Sequence, residues 1–270
     1  MRTKQLNAAS LVDAQRYPIE HADASAYATI VAAARTQIAR EGYAEIPRFL
    51  SDVGLERCLA DARSLVSRAY VSRGRGTAYL EEPGDAWPSE HARAQRRPYA
   101  VGVVAYDQFP ITSAIRTLYE WPALMRFVAA TLGLDAIHRY ADPLGALNLA
   151  VMTEGDELQW HYDQTDFVVS LALQSAAQGG DFEVVPNLRT SREERYERVR
   201  AVLDGDRTQV TRLAMTPGTL LVFAGRNSLH RVSPIQGDVA RLVALFGYDA
   251  NAGVRSTPHL QLKRYGRVKA

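Results

Sequence analysis

The chain has 270 residues, of which 47% are hydrophobic and 23% charged, a composition typical of a globular protein that buries a substantial core. Its 32 basic and 30 acidic residues give a net charge of +2 without a basic, aromatic-rich face, so we expect no nucleic-acid partner. No stretch approaches the roughly 20 apolar residues of a membrane helix or resembles a signal peptide, so we expect no membrane partner. The single cysteine, Cys58, excludes an internal disulfide and favours a cytoplasmic location.

The first half of the chain is predicted to be mainly helical after an irregular arm at residues 1–20. Apolar residues at helical spacing predict helices over residues 26–42, 51–70, 113–119 and 121–133. Ser51 supplies an N-cap, and Gly42 and Gly133 supply left-handed C-terminal caps. We expect these helices to form a supporting layer outside the core.

Residues 72–98 interrupt this pattern with Gly, Pro, Arg and Glu in weak periodicity, which predicts a long loop. A solvated surface loop and a lid over a substrate are equally good interpretations. Arg73 and Arg75 are the candidates for binding a substrate carboxylate from this segment.

After Tyr140 the sequence changes to short β-type runs separated by turn residues. Strands are predicted at residues 147–152, 167–174, 182–185, 210–215, 219–224 and 241–248. One helix interrupts them, from a capping box formed by Ser191 and Glu194 to Leu203. Many short strands without alternating helices favour an antiparallel sandwich or barrel, and hence an α+β protein with a mainly β core.

A possible metal site lies in this β region. His161 and Asp163 are two residues apart, so on an extended strand both side chains leave the same face and can bind one ion. His230 follows another predicted strand and completes a 2-His-1-carboxylate set, which leaves coordination positions open as in non-haem Fe(II) oxygenases. The His-x-Asp triplet alone is weak evidence, because chance produces one in roughly a third of such chains. A hydrogen-bonded core histidine is the alternative for each ring.

Arg241 begins the last predicted strand, which is otherwise apolar. Alternation places Arg241, Val243 and Leu245 on one face. A guanidinium there needs an anionic partner, because burying it unpaired is costly. A dicarboxylate cosubstrate held by a bidentate fork would meet that need.

Together these residues resemble the Fe(II)/2-oxoglutarate-dependent oxygenases of double-stranded β-helix fold. Three segments extend the resemblance to the small-molecule oxygenases typified by HalD and BesD: GDELQWHYDQ at residues 155–164, GGDFEVVPNLR at 179–189 and GRNSLHRV at 225–232. The resemblance implies one oxygenase domain over residues 1–270, with mostly helical support and a lid at 1–135, a jelly-roll, cupin-like core at 136–250, and a C-terminal segment at 251–270.

The resemblance also implies the cofactor set. Fe(II) would be held by His161, Asp163 and His230, with 2-oxoglutarate, bound through Arg241, and O2 as cosubstrates. Asn148 and Trp160 are candidates to contact the cosubstrate. A hydrogen bond to a neighbouring strand is an equally good interpretation for Asn148, and packing is the favoured alternative for Trp160.

Halogenases of this group have glycine in place of the metal carboxylate, so Asp163 implies a hydroxylase acting on a free amino acid or a similar small polar metabolite. Desaturation or cyclisation of a natural-product intermediate is the alternative within the class, and a non-oxidative cupin-like metalloprotein is the alternative outside it. Leu245 and Gly247 stand where the lysine-acting members have polar residues, which favours a less polar group near the iron. Further candidates for substrate contact are Gln164, Asp166, Tyr140 and Asp142.

Overall fold

The computed structural model describes residues 6–80 and 86–270. Residues 1–5 of the predicted arm and 81–85 of the predicted loop lie outside this range. The described α-helices are α1 (Ser25–Glu41), α2 (Asp52–Leu65), α3 (Ala114–Tyr119), α4 (Pro122–Leu132), α5 (Tyr196–Leu203) and α6 (Pro258–Tyr265). None of the helices in this part of the chain has the length and apolar character needed to cross a bilayer.

The described strands are β1 (Tyr43–Ile46), β2 (Tyr70–Gly76), β3 (Arg97–Val104), β4 (His138–Arg139), β5 (Leu147–Met152), β6 (Leu158–His161), β7 (Val168–Gln174), β8 (Gln178–Gly179), β9 (Phe182–Val185), β10 (Thr211–Leu213), β11 (Leu220–Phe223), β12 (Leu229–Val232), β13 (Ile235–Gln236), β14 (Arg241–Phe246) and β15 (Tyr248–Asp249). The major sheet has the strand order β1-β11-β7-β14-β5-β3-β2, and the minor sheet has the order β10-β9-β12-β6.

Neighbouring strands in both sheets are antiparallel. From β5 onward the chain passes back and forth between the two sheets, with β5, β7, β11 and β14 in the major sheet and β6, β9 and β12 in the minor one. Side chains from both sheets line a shared cavity between them. This arrangement confirms the predicted double-stranded β-helix.

The predicted N-terminal helices cover the outer face of the major sheet. Side chains of α1 and α4, such as Tyr27 and Phe127, share one apolar core with Leu149 and Val222 from the sheet. Burying this face away from water is the main contribution that holds the helices in place. The predicted caps are confirmed, because Ser51 Oγ accepts the Gly54 N–H and the residues following α1 and α4 are left-handed glycines.

The prediction of a loop over residues 72–98 is wrong at both ends. Strands β2 and β3 pair from Tyr70 opposite Val103 to Gly76 opposite Arg97 and form one edge of the major sheet. An edge strand is half-solvated, so glycine and arginine are tolerated there and its sequence pattern is weak.

The predicted capping box at Ser191 is also wrong. The helix α5 begins only at Tyr196, after Arg195 in a left-handed conformation. Thr190 Oγ1 accepts the Arg192 and Glu193 N–H groups, and Glu194 pairs with arginines elsewhere instead of reaching back to an N-cap. Glu194 is therefore used in tertiary ion pairs.

Candidate active site

The two histidines of the predicted metal site come from neighbouring strands of the minor sheet. Strands β6 and β12 are antiparallel, and their register places His161 directly opposite His230, with ring centroids 4.2 Å apart. Asp163 follows two residues after His161 on the same face, as the alternation predicted. One ligand atom from each of the three residues lies within 4.8 Å of the others.

The hydrogen bonds around the rings fix which nitrogens face the centre. His161 Nδ1 lies 2.7 Å from the Gln159 carbonyl oxygen, and His230 Nδ1 lies 2.9 Å from the Ser228 carbonyl oxygen. A carbonyl oxygen only accepts, so each Nδ1 carries the proton and each Nε2 offers a lone pair. The Nε2 atoms lie 3.9 Å and 3.4 Å from the Asp163 carboxylate oxygens. This is the donor set and second-sphere support that a divalent metal requires.

The surroundings keep His161 ready to bind a metal. Burial, followed by the nearby His230 ring, lowers the pKa of His161 to about 4. The ring is therefore neutral at pH 7, the form that donates a lone pair. Phe182 and Phe223 pack against His230 at centroid distances of 5.5 Å and 4.7 Å and exclude water from that side.

Gly225, in the third of the quoted segments, makes room for the carboxylate. Its carbonyl oxygen accepts the Asp163 N–H at 3.1 Å. A Cβ atom at Gly225 would lie 1.8 Å from Asp163 Oδ2, well inside van der Waals contact. Any larger residue would displace the carboxylate, so glycine here is part of the metal site.

Arg241 lines the same cavity as the metal site, and this cavity has a volume of about 210 Å³. Its side chain is buried, with 7% of the residue exposed, and forms no ion pair or hydrogen bond with any described residue. Burial lowers the pKa of Arg241 to about 10, against the opposing effect of Asp181. The side chain remains charged at pH 7, and a charge buried without a partner indicates a site built for an anionic ligand.

The second quoted segment shapes the cavity wall around Arg241. A Cβ atom at Gly180 would lie 2.6 Å from Ile235 Cδ1 and 3.1 Å from Arg241 Cδ. Gly180 also has a positive φ of 65°. Both properties require glycine, which lets the chain pass close over the arginine stem.

Asn148 lines the cavity, but its amide is already used. Nδ2 donates to the carbonyl oxygens of Leu144 and Leu147, and Oδ1 accepts the Tyr265 hydroxyl at 2.9 Å. Of the two interpretations left open by the sequence, the structure favours a bond within the protein. The partner is the C-terminal helix rather than a neighbouring strand.

Trp160 does not face the cavity, so the prediction that it contacts the cosubstrate is wrong. Alternation along β6 turns its side chain to the opposite face from His161, where it packs with Tyr162 and Leu229. Arg207 and Arg231 lie over its ring at 5.3 Å and 5.1 Å. Its indole N–H is buried without a hydrogen-bond partner in the described residues.

Asp142 is also wrong as a substrate contact, because its carboxylate is buried and fully engaged. It accepts the N–H groups of Leu144, Gly145 and Ser256 and the side-chain amide of Gln261. These bonds attach the segment before β5 to the C-terminal helix α6. Tyr140, by contrast, does line the cavity.

The remaining predicted substrate residues divide in two. Gln164 lines the cavity beside the metal site, and Arg75 lines an adjoining cavity. Arg73 and Asp166 line neither of these cavities, and Asp166 is exposed and forms an ion pair with Arg226.

The adjoining cavity has a volume of about 340 Å³ and contains residues that the sequence did not identify. It shares His161, Asn148 and Gln164 with the first cavity. Lys263 and Arg264, from α6, contribute to its wall. Thr257-Pro258 and Gly266 are cap signals that would have predicted this helix, but not where it docks.

The sequence matches the Halogenase D family over residues 27–262. No curated protein matches it. Solved structures with the same fold include AviO1 from Streptomyces viridochromogenes Tue57, with 20% identity, coverage of 84% of this chain and 97% of that one, and a TM-score of 0.57. The carbocyclase SnoK from nogalamycin biosynthesis has 17% identity, coverage of 88% and 93%, and a TM-score of 0.58.

A further structure of this fold is a 2OG-Fe(II) oxygenase-family oxidoreductase from Burkholderia pseudomallei, with 17% identity, coverage of 83% and 92%, and a TM-score of 0.53. At these identities the structural likeness concerns the fold. The family match extends over most of the chain and includes all three metal-site residues and Arg241. The chain therefore belongs to the Halogenase D family.

Proposed function

We propose that this oxygenase is a hydroxylase of a free amino acid or a similar small polar metabolite. The observation that carries this proposal is the carboxylate of Asp163, which stands 3.9 Å and 3.4 Å from the two histidine Nε2 atoms. With the carboxylate present, the three residues provide the 2-His-1-carboxylate set.

The residues have separate roles in this scheme. His161, Asp163 and His230 would hold Fe(II), and Arg241 would bind a carboxylate of 2-oxoglutarate. The bound iron, with 2-oxoglutarate and O2, supplies the oxidation that turns a C–H into a C–OH and yields succinate and CO2. The Gln159 and Ser228 carbonyls keep the rings oriented, and Phe182 and Phe223 exclude water beside His230.

Hydroxylation rather than halogenation follows from the space around Asp163. A halide would need the coordination position that the carboxylate occupies. Gly225 fits closely against that carboxylate, since a Cβ atom there would lie 1.8 Å from Asp163 Oδ2. The family name describes relatives that halogenate, whereas the Asp163 side chain of this chain favours hydroxyl transfer.

The adjoining cavity supports a small substrate. Its volume of about 340 Å³ lies at the lower end of the range of about 300–1,000 Å³ for small-molecule sites. Arg75 at its wall would bind the carboxylate of an amino acid. We further propose that residues 1–270 form a single cytoplasmic domain, which is consistent with one apolar core shared by helices and major sheet and with the buried thiol of Cys58.

The test begins with purified protein, Fe(II) and 2-oxoglutarate without oxygen, which should give the weak visible charge-transfer band of the chelated cosubstrate. Oxygen and a panel of amino acids then follow, with succinate and product mass measured. A hydroxylase gives a product that gains one oxygen atom, whereas desaturation or cyclisation removes two hydrogen atoms. Absence of the band, or of succinate across the panel, would contradict the proposal.

Asp163→Gly with added chloride is the matched variant. We expect loss of most hydroxylation, because one metal ligand is gone, and rescue of metal binding by chloride if the vacated position accepts it. Retained hydroxylation with unchanged iron content would overturn the assignment of Asp163 as a ligand.

A further inference from the structure

The charge of the adjoining cavity says more about the substrate than its size does. The charged residues of its wall are Arg75, Arg96, Lys263 and Arg264, and its other titratable residues are Tyr99, His161 and His259. No carboxylate from the described residues lines it. The Asp163 carboxylate lines the first cavity and belongs to the metal site.

Three of these cations have no acidic partner in the part of the chain that the structure describes. Arg75 donates one hydrogen bond, to the Arg96 carbonyl oxygen at 2.9 Å. Lys263 Nζ lies 5.6 Å from the centroid of the Tyr99 ring. Arg264 lines both cavities and is thus the cation of this group that reaches towards the metal site.

The next basic residues along the chain provide an internal contrast. Arg267 and Lys269 both bind Asp107, at 2.6 Å and 3.1 Å, and line neither cavity. The four cations of this short C-terminal segment therefore differ in whether they have an acidic partner, according to where they lie. Those away from the cavity are neutralised by a carboxylate, and those at the cavity are left for a ligand.

The helix that carries these cations is fixed in place by buried hydrogen bonds. Tyr265 donates to Asn148 at 2.9 Å, and Gln261 donates to Asp142 at 3.0 Å. Gln261 and Tyr265, which both belong to α6, are buried. The neighbouring Lys263 and Arg264 are therefore held against the cavity by anchors on either side, which lowers the entropic cost of using them for recognition.

We infer that the substrate is an acidic amino acid or a similar small molecule with two carboxylates, one held by Arg75 and the other by Lys263 and Arg264. This inference rests on the proposed function. It assigns substrate charge to the C-terminal helix, and it excludes a lysine-like side chain, which three unpaired cations would repel. Charge-assisted bonds of this kind are the stronger hydrogen bonds in proteins.

The test is a binding measurement, so it does not depend on turnover. Oxygen-free enzyme loaded with Fe(II) and saturating 2-oxoglutarate is titrated by calorimetry with glutamate, glutamine, aspartate, asparagine and lysine. We expect each acid to bind at least about tenfold more tightly than its amide, since one charge-assisted bond is worth about that factor. The visible 2-oxoglutarate band must persist, because an acid that binds at Arg241 would displace it.

The variants locate the effect. Lys263→Gln with Arg264→Gln should reduce the acid-to-amide ratio to nearly one while amide affinity changes by less than about threefold. The matched control, Arg267→Gln with Lys269→Gln, should keep the wild-type ratio, because those side chains bind Asp107 away from the cavity.

Several results would overturn the inference: amides or lysine that bind as tightly as the acids, a preference that survives in the Lys263 and Arg264 variant, or no acid that binds while the 2-oxoglutarate band is present. Displacement of the band by the acids would also overturn it. If the band never forms with Fe(II) and 2-oxoglutarate, the proposed function itself fails. Failure of the proposed function is thus distinguishable from failure of the inference about substrate charge, in which the band forms but the acids are not preferred.

Discussion

The first cavity and the adjoining cavity, called here the metal end and the substrate end, are built in different ways. At the metal end, His230 and Arg241 lie on strands, and 5% and 7% of their surfaces are exposed. At the substrate end, Arg75 and Arg264 are exposed and come from an edge strand and a C-terminal helix. Sheet register fixes the first set, whereas side-chain hydrogen bonds fix the helix of the second. Substitutions should therefore have larger effects at the metal end and smaller, more selective ones at the substrate end.

The largest effect is expected for His230→Ala. It removes a metal ligand that lies directly opposite His161, and Fe(II) affinity should fall by at least about a hundredfold, the upper range seen for loss of mere supporting contacts. Iron content after equilibrium dialysis measures this. His138→Ala is the control, since His138 is exposed on β4. Equal iron content in both variants would contradict the assignment of His230 as a metal ligand.

Arg241→Met should have the next largest effect. Two charge-assisted hydrogen bonds to 2-oxoglutarate would be lost, and its affinity should fall roughly a hundredfold or more while Fe(II) binding persists. Titration of the charge-transfer band measures the 2-oxoglutarate affinity, and iron content after equilibrium dialysis measures the Fe(II) binding. Because Arg241 has no partner among the described residues, urea unfolding of the metal-free variant should show equal or higher stability than the wild type. Full activity in this variant would favour a non-oxidative metalloprotein.

The same contrast explains what the sequence could predict. Strand alternation placed His161 and Asp163 on one face, and the family resemblance joined them with His230 and Arg241 in one site. His161, His230 and Arg241 lie on regular strands, and Asp163 follows two residues after β6, so their faces can be read from sequence. The helix caps at Ser51 and Gly42 were predictable for a similar reason, since capping is local.

The substrate end could not be predicted in this way. Lys263 and Arg264 face the cavity only because Tyr265 and Gln261 attach their helix to residues more than a hundred positions earlier. Strand β2 was missed because an edge position tolerates a glycine- and arginine-rich sequence. Asp142 illustrates the same difficulty, since its side chain looks functional in sequence and instead forms an anchor.

Asp142→Asn should weaken the substrate end without affecting the metal end. An amide places N–H groups where the carboxylate accepted N–H donors, and the free energy of unfolding should fall by about 1–3 kcal/mol. Substrate KM should rise as α6 loosens, while 2-oxoglutarate affinity stays constant. Urea unfolding and steady-state kinetics measure these quantities. A change in iron content with unchanged KM would contradict the separation of the two ends.

The pH dependence of this anchor follows from the pKa of Asp142. Burial acts to raise the pKa, but hydrogen bonds from Gln261, Gly145, Leu144 and Ser256 outweigh it and lower the pKa below its ordinary value of 3.8. A lowered carboxyl pKa adds stability above pH 3.8 that is lost as the pH falls through the folded-state value. The stability difference between wild type and Asp142→Asn should therefore shrink in that acid range and remain constant near pH 7.

The smallest effect is expected for Trp160→Phe, although Trp160 is adjacent to a metal ligand. Phe keeps an aromatic ring between Arg207 and Arg231 and removes a buried N–H that has no partner in the described residues, so the loss of volume and the relief of that donor should largely offset one another. We expect stability within about 1 kcal/mol of wild type and 2-oxoglutarate affinity within about twofold.

Gln159→Leu is the comparison variant for Trp160→Phe, because Gln159 lies on the cavity face of the same strand. Gln159 donates to the Thr77 carbonyl and accepts the Arg97 N–H, so its loss should loosen the segment beside the substrate end and raise KM. A tenfold loss of 2-oxoglutarate affinity in Trp160→Phe would mean that the outer face of β6 also controls the site, and that adjacency to His161 matters more than the direction of the side chain.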